Sequence, residues 1–567
     1  PAVLLLEKHY GLLLGLALGV SAALAWARRF VTDDAFISFR YAKNFSNGLG
    51  LVYNAGEYVE GYTNFLWTLL IAAGLRVGAD PVMVSQALGI AAYLGTIVVI
   101  LWLAGRAGQK VFLPLAALAL LVDREMHIWA TGGLETSLVT FLITAGFVRT
   151  VTAESHRALL VGGSLLGAAA LTRPDALLIY LSTLAFVLLW RRDIRAALWL
   201  ALPLVCVYLP YWIWRFSYYG HIFPNTYYAK SVALSWWSQG FAYLWLYLKT
   251  YYALLSIVAL IPLAAVILFS RLRRAKESAD RLDERIQVGA LALALPYVLS
   301  VVRVGGDFMF ARLLIPVTPL FLLALEAALR RYLPRLPAHL TALALVVLCF
   351  FFPNRQFDGL GQINHIADES RYYPPERFAE ERRIGQLVRL YFAKTDARVG
   401  FYGMRATMVY YAEPTLAVEC QAGLTDEYIA HLPLERRGRP GHEKEAPLEY
   451  LYERELHFLL KTVYDFTLPE DKRRALQIGD FTTYILTYDN RVMESLRTEP
   501  DIAFVHFPTF LDEYIATMPT LSPERVARDY REFKRYYFDH NDDVTRERPF
   551  MSFLDPSVTN SADSSSK

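Results

Sequence analysis

The sequence has few of the residues around which most recognisable chemistries are built. Three cysteines in 567 residues, Cys206, Cys349 and Cys420, lie far apart, so neither a disulfide framework nor a Cys-rich metal site can be assembled. Charged residues amount to 20%, below the roughly one quarter of ordinary soluble domains, while hydrophobic residues reach 55%. A purely soluble enzyme is the wrong class. The chain contains no P-loop, no dinucleotide fingerprint in strand–turn–helix context, no H-E-x-x-H and no G-x-S-x-G. It offers no long basic stripe, which argues against nucleic acid as a partner. Many more apolar segments follow the first one, so it reads as a retained span rather than a removed signal peptide.

What is present is unevenly placed. Residues 1–353 carry 29 basic and 18 acidic groups, net +11, whereas residues 354–567 carry 28 and 36, net −8. The first part is a series of apolar runs and the second reads as a water-soluble domain. Apolar runs read as spans, the shorter ones tolerated inside a bundle, fall near 10–26, 82–104, 111–122, 134–148, 158–171, 176–190, 196–214, 252–270, 287–302, 313–329 and 338–352. That predicts a polytopic α-helical membrane domain of about eleven spans. A further apolar stretch, 64–78, is short and interrupted by Arg76, so it is placed in the interface.

Loop charge then sets orientation. Arg106 and Lys110, Arg149 and Arg157, Arg191, Arg192 and Arg195, the run from Arg271, and Arg330, Arg331 and Arg335 all fall on one side, the cytoplasm by the positive-inside rule. Arg28 and Arg29 are exceptions. The opposite face receives 32–64, 123–136, 172–175, 216–230 and 303–312, where the groups capable of chemistry collect, and the C-terminal domain is extracytoplasmic.

Asp33 and Asp34 follow the first span. Two adjacent carboxylates suit a general base with a neighbouring partner; they suit equally an N-cap for AFISFRYAKNF, with Thr32 or Asp33 accepting backbone N–H groups. That segment and 64–78 are expected to be juxtamembrane helices, with Glu57 and Glu60 in the loop between them. Arg173 in TRPD, Lys230 in YYAK and Arg312 in FMFAR are candidate lipid-phosphate ligands; a turn closed by Pro174 and an Arg173–Asp175 ion pair, and snorkelling to headgroups, are the alternatives. Asp307 follows two glycines that permit close backbone approach or a simple turn. His127 and His221 are the outer-loop histidines of the membrane half, each open to metal ligation or to an ordinary interfacial place.

With these residues in view, the run DDAFISFRYAKNFSNGLGLVYNAGEYVEGYTNFLW, together with GGLET, LTRPD, PNTYYAK and GGDFMFAR, resembles the GT-C superfamily of polyprenyl-phosphate-sugar glycosyltransferases. Within it the chain is most similar to the actinobacterial terminal β-(1→2) arabinofuranosyltransferases, and GLTDEYIAHLPLERRGRPGHEK in the tail is similar to the same group. The resemblance implies a GT-C fold and an inverting transfer of a sugar, arabinofuranose first, from a polyprenyl phosphate donor such as decaprenyl-phosphoryl-arabinose to a cell-envelope glycan acceptor. Asp33 matches the position of the base, with Asp34 as the close alternative. Arg40, Arg173, Lys230 and Arg312 become candidates for the donor phosphate, and Glu60, Tyr62, Asn64, Glu135, His221, Asn225 and Asp307 for sugar and acceptor. A divalent cation is compatible with the resemblance and no other cofactor is implied. A lipid-linked sugar transporter or flippase, another polyprenyl-phosphate sugar and a protein acceptor are the rival readings.

From residue 354 helical runs such as RFAEERRIGQLVRLYFA alternate with β-like runs ARVGFYGM, FTTYILTY and IAFVHF, which predicts a mixed α/β soluble domain over 354–555. Its aromatics suit sugar stacking or, for most of them, core packing. RGRPGHEK is a Gly/Pro loop expected on the acceptor or docking side, and 556–567 reads as a disordered tail.

Overall fold

The computed structural model describes residues 2–106, 114–273, 281–355, 357, 361–403, 405–460 and 471–554. The expected tail 556–567, Lys110, the start of the 111–122 run and most of the basic run after Arg271 lie outside the described residues. The chain divides into two compact units: Pro1–Val52, Tyr58–Glu376 and Pro433–Glu443 form the first, and Tyr53–Glu57, Arg377–Leu432 and Lys444–Lys567 the second.

The first unit is helical. Among the described residues three helices, Pro81–Arg106, the continuous run Ile194–Tyr219 and Leu282–Arg303, are long and apolar enough to cross a bilayer; Gly11–Ala27, Phe65–Arg76, Thr136–Val151, Ala176–Arg191, Val258–Arg271 and Leu336–Phe351 are shorter apolar helices. Large apolar side chains on them stay exposed, among them Leu16, Val98, Trp102, Leu198, Val205 and Val266, as an apolar solvent around the unit permits. The two helices expected in the first loop are present, at Ala35–Ser46 and Phe65–Arg76. An amphipathic helix not foreseen as a separate element, Trp237–Thr250, stands before the 252–270 run. The run expected at 313–329 begins its α-helix only at Thr318, after a 3-10 turn over Ile315–Val317, because Pro316 and Pro319 cannot serve as donors inside an α-helix. In the run Ile194–Tyr219 a π turn over Leu204–Tyr208 follows Pro203 for the same reason.

Close helix approach relies on small residues. A Cβ on Gly163 would meet the Leu200 carbonyl oxygen at 2.2 Å, so the helix His156–Thr172 can lie against Ile194–Pro203 only with glycine there. A short hairpin, β1 (Gln362–Ile363) and β2 (Ile366–Ala367), closes the unit, and Ala367 pairs in parallel with Met309.

The second unit is built on a six-stranded mixed sheet. Its strands are β3 (Arg398–Phe401), β4 (Leu416–Glu419), β5 (Phe458–Leu460), β6 (Ala475–Ile478), β7 (Phe481–Ile485) and β8 (Ile502–Phe504), in the order β4-β3-β5-β7-β6-β8. The three β-like runs read from sequence are β3, β7 and β8; β4, β5 and β6 are short and were not marked by alternation. β3 is parallel to β4 and β5, and the remaining pairs are antiparallel. The helix Pro375–Phe392 coincides with the expected RFAEERRIGQLVRLYFA helix. Many of the aromatics form core: Tyr488, Phe507, Phe533 and Tyr536 are buried and pack ring against ring.

Candidate functional site

Most of the loop residues singled out in the sequence meet in the first unit. Glu135, just before the helix Thr136–Val151, is a hub. Its Oε1 accepts from Arg173 Nη1 at 2.9 Å and from Arg312 Nη2 at 3.3 Å, and its Oε2 accepts from Asn64 Nδ2 at 2.9 Å. Asn64 is itself fixed, since its Oδ1 accepts from Ser38 and Thr68 hydroxyls at 3.1 Å each. Arg173 completes its guanidinium on Asp175, two bonds of 3.0 and 2.7 Å, so the Arg–Asp pair expected in the TRPD turn exists alongside the Glu135 contact. Tyr297 donates to Asp175 at 3.2 Å. Arg312 reaches Asp307 at 3.5 Å. Removing one partner from such buried pairs leaves an uncompensated charge, a loss of about 3–5 kcal/mol.

Backbone geometry sets Asp307. The helix Leu282–Arg303 ends in Gly305 and Gly306, with φ of +96° and +73°. A Cβ on Gly306 would strike the Tyr243 ring at 2.5 Å, so both the left-handed turn and the close approach require glycine. The following residues are then bonded to β2: Phe310 N–H donates to the Ala367 carbonyl at 2.9 Å, and Ala367 N–H to that of Phe308 at 2.6 Å. This pairing brings the segment with Asp307 and Arg312 beside Asp368 and Glu369.

Asp33 is buried and Asp34 partly so. The capping alternative is answered in part: Asp34 makes no side-chain cap bond, and the Thr32 hydroxyl is buried without a hydrogen-bond partner among the described residues. Ala35 and Phe36 N–H groups donate instead to the main-chain carbonyls of Thr32 and Asp33. Burial pushes the Asp34 carboxyl up; Lys230 and Arg312 oppose this, Asp307 adds to it and Arg439 opposes it. These five groups therefore share one electrostatic environment. Among the described residues Lys230, which follows the short helix Asn225–Ala229, makes no ion pair.

Two members of this cluster were not singled out in the sequence. Arg439 lies in the segment Pro433–Glu443, which packs as part of the first unit. Its guanidinium sits over the Phe308 ring at 4.3 Å and stands 3.6 Å from Glu369. Within the same segment His442 meets Phe308 edge to face at 4.6 Å, and a Cβ on Gly441 would lie 3.4 Å from the Lys230 side chain. Arg437 pairs with Glu443 at 3.2 Å and lies over Trp236 at 5.0 Å. The Gly/Pro composition of RGRPGHEK marked a loop there; nothing in it marked which arginine stands beside Glu369. Glu369, in a short polar stretch after the last apolar helix, carried no signal at all.

The remaining candidates fold the first loop. Glu60 is in a buried ion pair with Arg215 at 2.6 Å, and its carbonyl accepts from Asn225 N–H at 3.0 Å. Tyr62 shares a hydrogen bond with Tyr219 at 3.1 Å. His221 supplies its carbonyl to Arg215 at 3.3 Å and faces Tyr228 edge-on. Arg40 is buried in the helix Ala35–Ser46. A separate buried network joins Glu125 and Asp368 to Arg355 at 2.9 and 3.0 Å and to Arg124 at 3.3 and 3.5 Å, while Arg28 bonds His127 Nδ1 at 2.6 Å. Arg28, an exception to the loop-charge pattern, thus has a partner within the fold. Among the described residues no three His, Cys, Asp or Glu side chains group to hold a metal ion, which leaves the divalent cation an expectation of the resemblance.

The fold is that of ArnT. The structure of ArnT from Cupriavidus metallidurans bound to undecaprenyl phosphate aligns at TM-score 0.52 over 74% of this chain and 87% of ArnT, with 14% identity. The apo structure of the same protein aligns at 0.54 over 84% of this chain and 98% of ArnT, again with 14% identity. By sequence the chain is similar to two curated proteins, both named terminal beta-(1->2)-arabinofuranosyltransferase. The one from Mycobacterium tuberculosis is 29% identical over 332 residues, 53% of this chain and 52% of the relative. The one from Corynebacterium glutamicum is 29% identical over 404 residues, 64% of this chain and 58% of the relative. The chain spans about half the length of the curated relatives it matches. No family model matches it.

Proposed function

We propose that this chain is an inverting glycosyltransferase of the GT-C type, with about eleven spans, that moves a sugar, arabinofuranose first, from a polyprenyl phosphate to a hydroxyl of a cell-envelope glycan. The reaction takes place at the extracytoplasmic face of the cytoplasmic membrane. Residues 1–353 form the membrane catalytic domain, and the soluble domain 354–555 serves the acceptor and supplies Glu369 and Arg439 beside the site. The observation that carries the reading is the environment of Asp34: a carboxylate beside Asp33, in a field of Lys230, Arg312 and Arg439, within an ArnT fold. The names of the two curated relatives support the sugar.

The chemistry follows from what such a field can do. The acceptor oxygen attacks the anomeric carbon from the face opposite the phosphate, and the bond from that carbon to the phosphate oxygen breaks. The phosphate leaves with the electron pair, and the hydroxyl proton passes to a carboxylate of the Asp33–Asp34 pair, Asp33 by the resemblance. Cations already in place stabilise the charge that develops on the departing phosphate, because they need no reorganisation as it forms. Since the donor is activated on its lipid, no nucleotide is needed at the site. Arg173 is held by Asp175 and by Glu135, the acid it shares with Arg312, whereas Lys230 makes no ion pair among the described residues.

The test is transfer by purified protein from short-chain lipid-phosphate sugars, with arabinofuranosyl and mannosyl donors side by side. Transfer of arabinose that disappears in Asp33→Asn supports the reading. Transfer of mannose alone discards the sugar, and the absence of any transfer by wild-type protein discards the enzyme.

A further inference from the structure

We propose that Arg439 is a lipid-phosphate ligand of this site and that Glu369 is its positioning residue, leaving the guanidinium charge free for phosphate when its carboxyl is neutral. The inference rests on the glycosyltransferase reading and adds to it a residue contributed by the segment Pro433–Glu443.

The geometry is that of a cation held ready but not consumed. The Arg439 guanidinium carbon stands over the Phe308 ring at 4.3 Å, a contact that holds the cation without using its donors. Its carboxylate neighbour is at 3.6 Å, beyond hydrogen-bond length, and its Nε has no hydrogen-bond partner among the described residues. The Arg439 side chain is 29% exposed while that of Glu369 is 1% exposed, so a ligand reaches the arginine and not the acid behind it. Neither Glu369 oxygen has a hydrogen-bond partner among the described residues, an unusual state for a buried carboxyl. Arg173 and Arg312, by contrast, are bound to carboxylates at 2.7–3.3 Å. With Lys230 packed beside Gly441, Arg439 and Lys230 form the side of the cluster where positive charge is least neutralised.

The charge state of Glu369 decides how much of Arg439 is available. Burial pushes this carboxyl up to about 8; Arg439 opposes the shift, Asp34 and Asp307 add to it and Arg312 opposes it, and Tyr373 also faces it. Below that pH the acid is neutral and does not compete for the guanidinium. Above it the ionised acid takes Arg439 as counter-ion and repels an incoming phosphate. Phosphate affinity therefore falls as pH rises through about 8.

The experiment uses the full chain in phosphatidylcholine nanodiscs and farnesyl methyl phosphate, a lipid diester whose single negative charge does not titrate between pH 6.5 and 9.5. For wild-type protein, Kd is expected to rise about tenfold across that range, as loss of a charge-assisted contact requires. Arg439→Gln is expected to raise Kd about tenfold at pH 6.5 with Arg439→Lys between the two. Glu369→Gln, close to isosteric, should bind as wild type at pH 6.5 and lose the pH dependence, a result a purely structural glutamate would not produce. Unchanged affinity in Arg439→Gln, or an unchanged pH profile in Glu369→Gln, overturns the proposal. Full displacement of the diester by 20 mM inorganic phosphate would assign the site to a free anion and overturn the lipid assignment. Wild-type transfer with an Arg439→Gln variant that binds normally sinks this inference alone, whereas Arg439-dependent binding without any transfer sinks the enzyme reading alone.

Discussion

The Glu135 carboxylate reaches the Arg312 guanidinium at 3.3 Å across 177 residues of chain. Through Arg173 and Asn64 the same carboxylate gathers four separate loops. Glu135→Gln keeps the shape of the side chain and leaves two arginines short of one negative charge. The expected loss is about 3–5 kcal/mol, read as a lower unfolding temperature in detergent. Glu135→Asp, which restores the charge on a shorter stem, should recover part of it.

The adjacent acids are expected to separate by kinetics. Asp33→Asn should lower kcat at least about a hundredfold, the usual contribution of a positioned base. Asp34→Asn removes the negative charge facing Lys230, Arg312 and Arg439, so it should tighten binding of a lipid phosphate while lowering kcat. Measuring donor Kd and single-turnover rate on both variants checks this; equal and opposite behaviour of the two would exchange their roles.

Gly306→Ala places a Cβ at 2.5 Å from the Tyr243 ring at a φ of +73°. The strain is expected to cost about 1–3 kcal/mol and to displace Asp307 and Arg312 together. Stability and donor affinity should fall in the same variant, and Gly220→Ala, also at positive φ but with open space around its Cβ, should lower stability only.

In the second unit, Asn54 of the first loop bonds both polar groups of Ala417 on the edge strand β4, 2.9 Å in each direction. Asn54→Ala leaves a buried N–H and carbonyl unpaired and should destabilise that unit by about 1–3 kcal/mol. Hydrogen exchange on β4 would show it: faster exchange at Ala417 is expected, and unchanged exchange would show that the pairing contributes nothing.

Much of the outline was legible in the sequence because it depends on local regularities. The apolar runs, the two short helices of the first loop and the helix Pro375–Phe392 follow from periodicity, and β3, β7 and β8 from their β-branched and aromatic composition. β5 escaped notice because FLL lies in a run with no alternation to betray it. Asp34, Glu135, Arg173, Lys230, Asp307 and Arg312 could be marked as polar groups in an apolar half, and they do assemble. The partners of Glu60 and Tyr62 could not be read from the sequence, because Arg215 and Tyr219 are some 150 positions away and inside an apolar run.

Sequence alone determined the class of molecule: a chain with too much apolar length for water, whose acids, bases and aromatics gather in loops, and whose first loop carries a recognisable run of residues. Tertiary structure alone decided which charges are spent and which are free. Whether an arginine meets a carboxylate depends on distances between segments hundreds of residues apart, and neither the 3.6-residue nor the two-residue period carries that information. Only the folded chain sets Arg173 between two acids, leaves Lys230 without one among the described residues, and seats Arg439 on Phe308 before a buried Glu369.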